Sequence, residues 1–160
     1  MKLYHYSSQP VSRIDSTIQR EFPNMKPEGF WISIEESWKD WCEGENWGLD
    51  RLKFVHEVKL NTEANILWLN SEDSVRAFHR KFNDRNFSSP NISKFLEHHV
   101  RITNIHWTEV AKEWKGIFIS PYQYGLILSE CLWYYSWDCA SGCIWDTTAI
   151  EQIIQLRTEE

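Results

Sequence analysis

Two hydrophobic periods interleave along the chain, one of two residues and one of three to four. Lys2 to Ser7 places Leu3, His5 and Ser7 on one face and Tyr4 and Tyr6 on the other, which predicts a short strand. Gly29 to Ser33 reads as a second strand, and Phe54 to Leu60 as a third, with Phe54, His56, Val58 and Leu60 on one side. Ile66 to Leu69 is continuously apolar, as a buried strand is. Helical spacing governs other stretches. Trp38, Trp41 and Cys42 predict a helix over Glu35 to Cys42, and Val75, Phe78, His79 and Phe82 predict one after an N-cap at Ser71. Phe95, Leu96 and His99 give a helix over Ile92 to Val100, and Trp107, Val110, Ala111 and Trp114 give another that Gly116 ends. Ile117 to Ile119, Leu132 to Tyr135 and Cys143 to Trp145 are the remaining strand candidates. Between the first two strands, Pro10, Pro23 and Pro27 mark a surface connection with one short helix around Ser16 to Glu21. Without repeats, low-complexity segments or an internal linker, residues 1–160 read as a single α+β domain.

Composition narrows the possible functions. The chain carries ten Trp, six Tyr and eight Phe, 15% of its residues, so disorder is excluded and a large aromatic core is expected. Trp38, Trp41, Trp107 and Trp114 fall on helix faces that point inward, whereas Trp31, Trp137 and Trp145 lie in segments holding glycine or serine beside acids and are expected to line any site. No apolar run of about 18 residues predicts a membrane span. MKLYHYSS lacks the apolar stretch of a signal peptide. Cys42, Cys131, Cys139 and Cys143 lack the spacing of a zinc site or of a small disulfide scaffold, so free thiols in a cytoplasmic protein without a metal are expected. A net charge of −6 disfavours broad binding to nucleic acid. The phosphate-loop, dinucleotide-fold, zinc-protease and nucleophile-elbow motifs are absent.

Three segments hold candidate chemistry. His5, between two tyrosines, is either a satisfied core histidine or a ring presented to a ligand. In Lys26 to Ser33, a glycine enters a strand, Trp31 offers a flat face, and Ser33 puts a hydroxyl on the same side two residues on; equally, Trp31 is simply core. Trp133 to Asp146 concentrates aromatics, two carboxylates, two thiols and small residues, which makes either a ligand floor or a tight turn capped by Asp138.

In this order the three segments resemble the ADP-ribosyltransferase fold, in the branch with a histidine on the first strand, which includes poly(ADP-ribose) polymerase and bacterial or phage enzymes. Leu3-Tyr4-His5-Tyr6-Ser7 is similar to that family's opening strand, and Gly29-Phe30-Trp31-Ile32-Ser33 to its second, with Trp31 where a tyrosine stacks on nicotinamide. The resemblance implies two small packed antiparallel sheets with flanking helices and NAD as substrate. It implies that His5 orients ribose hydroxyls, with Tyr6, Ser7, Trp31, Ser33, Trp137 and Ser141 as further cofactor-binding residues. Where the family places a glutamate, Ser141 to Asp146 holds Gly or Cys; Asp146 is the nearest acid, Asp138 lies on the preceding turn, and Glu130 is further upstream. Asp138 and Asp146 are therefore the expected catalytic acids beside His5. The implied activity is transfer of ADP-ribose to a protein, nucleic-acid or small-molecule acceptor, and the acidic balance of the chain tilts the choice to a protein or a small molecule. The missing glutamate leaves open a non-catalytic module that binds NAD, ADP-ribose or another nucleotide on the same fold.

Overall fold

The computed structural model of the chain describes residues 1–20, 25–83 and 104–156. Within these residues seven strands form in the order β1 (Leu3–Ser7), β2 (Phe30–Ile34), β3 (Phe54–Leu60), β4 (Ile66–Leu69), β5 (Gly116–Ile119), β6 (Ser141–Ile144) and β7 (Ile150–Gln155). Among the described residues three helices accompany them: α1 (Ser37–Glu45) after β2, α2 (Glu72–Phe82) after β4, and α3 (Trp107–Glu113) before β5. All seven strands belong to one sheet, ordered β4-β5-β6-β2-β1-β3-β7. Its neighbours are antiparallel except β4 and β5, whose link passes through α2 and α3; a parallel pair requires such a crossover.

The strand residues sort by parity onto two cores. Leu69, Ile117, Ile119 and Cys143 face α2 and α3 and pack against Val75, Phe78, Trp107, Trp133 and Trp145. On the opposite face, Leu3, Ile32, Ile34, Val58, Ile66, Phe118 and Ile144 form a second core drawn from six of the seven strands. One seven-stranded sheet therefore carries a core on each face, where two separate packed sheets were expected. The α+β class stands. The physical reason is that β1 and β2 still pair at Leu3↔Ile34 and Tyr4↔Ser33, which keeps the halves in one ladder.

Ser71 caps α2 as the sequence predicts: its hydroxyl accepts from the Ser74 N–H, and the Ser74 hydroxyl accepts from the Ser71 N–H. Three expectations change. Leu132 to Tyr135 is a tight 3-10 turn, Leu132–Ser136, because Trp133 and Tyr134 turn into the aromatic core while Tyr135 faces solvent. Residues 16–20 form no helix; the Thr17 N–H donates to the Trp145 carbonyl, and the Ser16 hydroxyl accepts from the Thr147 N–H. Strand β7 pairs with β3 where the sequence pattern had predicted no element. The helix read over Ile92 to Val100 lies outside the described residues. Among the described residues no helix is long and apolar enough to cross a membrane.

Candidate functional site at a fork in the sheet

Strands β1 and β2 share only two register positions before they part. Where the next rungs would lie, the His5 Nδ1–H donates to the Trp31 carbonyl over 2.7 Å, so a side chain spans the gap in place of backbone. The His5 ring stacks on Phe30, with centroids 4.1 Å apart and an interplanar angle of 24°. Burial depresses its proton affinity, the bond to Trp31 opposes that, and neighbouring His56 adds to it. With Nδ1 protonated toward Trp31, Nε2 carries the lone pair.

A cleft of about 260 Å3 opens at this fork. Of the residues singled out from sequence, His5, Tyr6, Trp31, Ser33, Trp137, Asp138 and Ser141 line it, although they come from three distant segments. Antiparallel pairing of β2 with β6 brings Ser33 opposite Ser141 and so carries the Trp137–Cys139 segment to the fork. Trp31 meets Trp137 edge to face at 5.0 Å, leaving a half-buried indole as one wall. The Ser33 hydroxyl is already engaged: it donates to the Glu35 carbonyl and accepts from the Trp38 N–H, fixing the start of α1. Ser141 is likewise satisfied, donating to the Cys139 carbonyl. Both serines build the wall.

Two candidates lie elsewhere. The Ser7 hydroxyl donates to the Gln9 carbonyl and does not line the cleft. Asp146 follows β6 at the end remote from Ser141, where its carboxylate accepts from the Thr148 N–H and hydroxyl. Those bonds hold its pKa below the ordinary carboxylate value. It caps the 3-10 turn Thr147–Ala149 instead of facing the cleft. Trp145 also departs from expectation: it is buried, its Nε1–H donates to the Trp114 carbonyl, and it belongs to the α2/α3 core. Glu130, the more distant acid, pairs with Arg76.

Asp138 is the one carboxylate among the lining residues. Burial raises its pKa above the ordinary value, Lys26 opposes the shift, and Glu45 adds to it. Cys139 beside it is no nucleophile at neutral pH, since burial pushes its thiol up to about 11. The indole N–H of Trp137, 1% exposed, has no hydrogen-bond partner among the described residues.

Sequence reasoning did not single out six further lining residues. Tyr4, Lys26, Ile32 and Cys139 belong to the candidate segments, but Trp38 and Arg51 come from outside them. Trp38 stacks on Trp41 at 5.2 Å, and both meet the exposed Trp47 edge-on. The Arg51 guanidinium lies 4.9 Å from the Trp47 ring centroid, and the Lys26 ammonium 5.3 Å from that of Trp31. Helix α1 thus turns an indole toward the cleft that its spacing had assigned to the core. The cleft combines flat aromatic walls, two cations near its rim and one desolvated carboxylate. That set suits a ligand with a planar ring and anionic groups, in which a positive centre develops.

Compared with known protein families, curated proteins and solved structures, the chain matches none.

Proposed function

We propose that the protein is an ADP-ribosyltransferase-like enzyme that takes NAD as substrate and passes its ADP-ribose group to an acceptor. One observation carries the reading: a single cleft, at the parting of β1 and β2, gathers His5, Trp31 and Asp138 from segments far apart in sequence. In this reading Trp31 stacks the nicotinamide ring, on the face that Lys26 now covers. His5 holds ribose hydroxyls, and Tyr6, Ser33, Trp137 and Ser141 enclose the ligand. Lys26 and Arg51 supply positive charge for the phosphates.

The bond between nicotinamide and the anomeric carbon breaks with its electron pair leaving on the ring nitrogen, which becomes neutral. Positive charge then grows on the ribose, and the Asp138 carboxylate at the cleft wall stabilises it electrostatically. The acceptor's nucleophile closes on the anomeric carbon and releases its proton to solvent. The acidic balance of the chain favours a protein acceptor over nucleic acid, in the cytoplasm, in the manner of toxin or phage-type modifiers.

Incubation with labelled NAD and cell lysate tests the reading. Label transfer or NAD hydrolysis is expected, with loss on His5→Ala and Asp138→Asn. Absence of both activities in the unaltered protein sinks the enzyme reading. A second reading has its own observation: no glutamate lines the cleft among the described residues. A non-catalytic NAD or ADP-ribose module follows if calorimetry shows binding without turnover.

A further inference from the structure

Helix α1 and the turn after it bring three indoles beside the cleft and leave them partly in solvent. Trp38, which lines the cleft, stacks on Trp41 with centroids 5.2 Å apart, and Trp47 meets both edge-on. The turn fixes Trp47: Asn46 is left-handed, with φ 50°, and the Trp47 N–H donates to the Cys42 carbonyl over 3.0 Å. Such a helix end calls for one apolar contact back onto the helix, which the edge of the ring supplies. It does not account for an indole left 45% exposed. The face of that ring carries Arg51, whose guanidinium lies 4.9 Å from the centroid.

Charge around this aromatic shelf is one-sided. Between positions 35 and 45 the chain holds five acids and one base, Lys39, which pairs with Glu36 at 3.7 Å. Asp40, Glu43 and Glu45 form no ion pair among the described residues. Glu43 and Glu45 stand in the last turn of α1, where the helix dipole opposes negative charge and no basic residue offsets it. That position costs the helix stability, so folding does not explain it. The field of these acids reaches the cleft: burial raises the pKa of the lining Tyr6, and Glu36, Tyr4, Asp40 and Glu43 raise it further.

Exposed indoles beside unpaired acids fit one class of partner. A guanidinium is planar, keeps its charge and stacks on an indole, and Arg51 already lies so on Trp47. We infer that the shelf of Trp38, Trp41 and Trp47, flanked by Asp40, Glu43 and Glu45, is a docking surface for a basic, arginine-bearing segment of a partner protein. A guanidinium of that segment takes the Trp47 face in place of Arg51, and its other cations meet the acids. That the partner is the acceptor of ADP-ribose rests on the function proposed above; the choice of a basic segment does not.

Calorimetry at low salt with hexa-arginine, hexa-lysine and hexa-glutamate peptides tests the surface. Hexa-arginine should bind, hexa-lysine should bind more weakly because an ammonium does not stack, and hexa-glutamate should not bind. Trp47→Leu should weaken hexa-arginine about fivefold, as for one exposed cation–π contact, and narrow its advantage over hexa-lysine. Asp40→Lys combined with Glu43→Lys should weaken both basic peptides roughly tenfold. Trp47, Asp40 and Glu43 are exposed, so melting should not fall in either variant. Transfer of label to an arginine-rich protein should fall in both variants by more than NAD hydrolysis does. If hexa-arginine does not bind, or if either variant holds it as well as the unaltered protein does, the inference is overturned, and the NAD reading is untouched. If hexa-arginine binding depends on Trp47 and on the acids while NAD is neither bound nor cleaved, the docking surface stands and the NAD reading falls.

Discussion

The indoles of Trp133, Trp145 and Trp137 sit in one aromatic cluster, yet the fold treats them differently. Over α2 and α3, the Trp133 N–H donates to His79 Nδ1 at 3.1 Å and the Trp145 N–H to the Trp114 carbonyl at 2.7 Å. At the fork, the Trp137 N–H has no acceptor among the described residues, and Asp138 beside it is desolvated rather than paired. The first arrangement makes a rigid, satisfied core. The second retains unspent polar capacity beside the cleft. Adjacent regions of one cluster therefore differ in how fully their polar groups are satisfied, and under the function proposed above substitutions should divide along the same line.

The largest effect should come from the satisfied side. Trp133→Ala removes a fully buried indole together with its hydrogen bond to His79, and should cost about 3–5 kcal/mol in urea unfolding. At the fork, Asp138→Asn should lower label transfer by roughly a hundredfold or more, as expected for removing one transition-state contact. Its stability should not fall. A carboxyl whose folded pKa is raised binds its proton more tightly in the native state, so folding weakens as pH rises through the window above the ordinary value of 3.8. The uncharged amide escapes that penalty at neutral pH. A clear drop in melting temperature for Asp138→Asn would place the residue with the structural side. The same raised pKa predicts that transfer declines on acidification, with a midpoint above the ordinary aspartate range.

Trp31→Ala should weaken NAD binding about tenfold by loss of stacking, measured by calorimetry, with melting nearly unchanged because the ring is only half-buried. Asp146→Ala should have the smallest effect. Its cap is worth about 0.5 kcal/mol and transfer should be unaffected. Because the folded pKa of Asp146 is depressed, the cap contributes fully above pH 3.8 and is lost as pH falls below it. Loss of transfer in this variant would return Asp146 to the site and erase the contrast drawn here.

Much of the framework was legible because its signals are local. The alternation of Phe54–Leu60 and the apolar run Ile66–Leu69 coincide with β3 and β4, and Ser71 caps α2. Errors arose where a local pattern had two physical solutions. Leu132–Ser136 is apolar enough for a strand but bends into a tight turn to pack two rings. β7, with the sequence IEQIIQ, is an edge strand paired with β3 alone, and its polar positions hide it. The cleft was legible in His5, Trp31 and Asp138, whose residue types are unusual for their surroundings. Trp38 and Trp145 exchanged their expected places because helical and strand periodicity report which residues share a face, not which neighbour that face meets. Arg51 carried no signal at all; only the return of the chain through the 3-10 turn Leu49–Leu52 brings it to the rim.

Elsewhere in the sheet, strand separation is fixed by backbone geometry at about 4.8 Å, and substitution hardly alters it. At the fork, the spacer is the His5 imidazole reaching the Trp31 carbonyl. The aperture is therefore gauged by a replaceable part. A shorter or longer side chain at position 5 would reset the width of the opening without rewriting the ladder, so the size of guest it admits can drift by single substitutions while the architecture holds still.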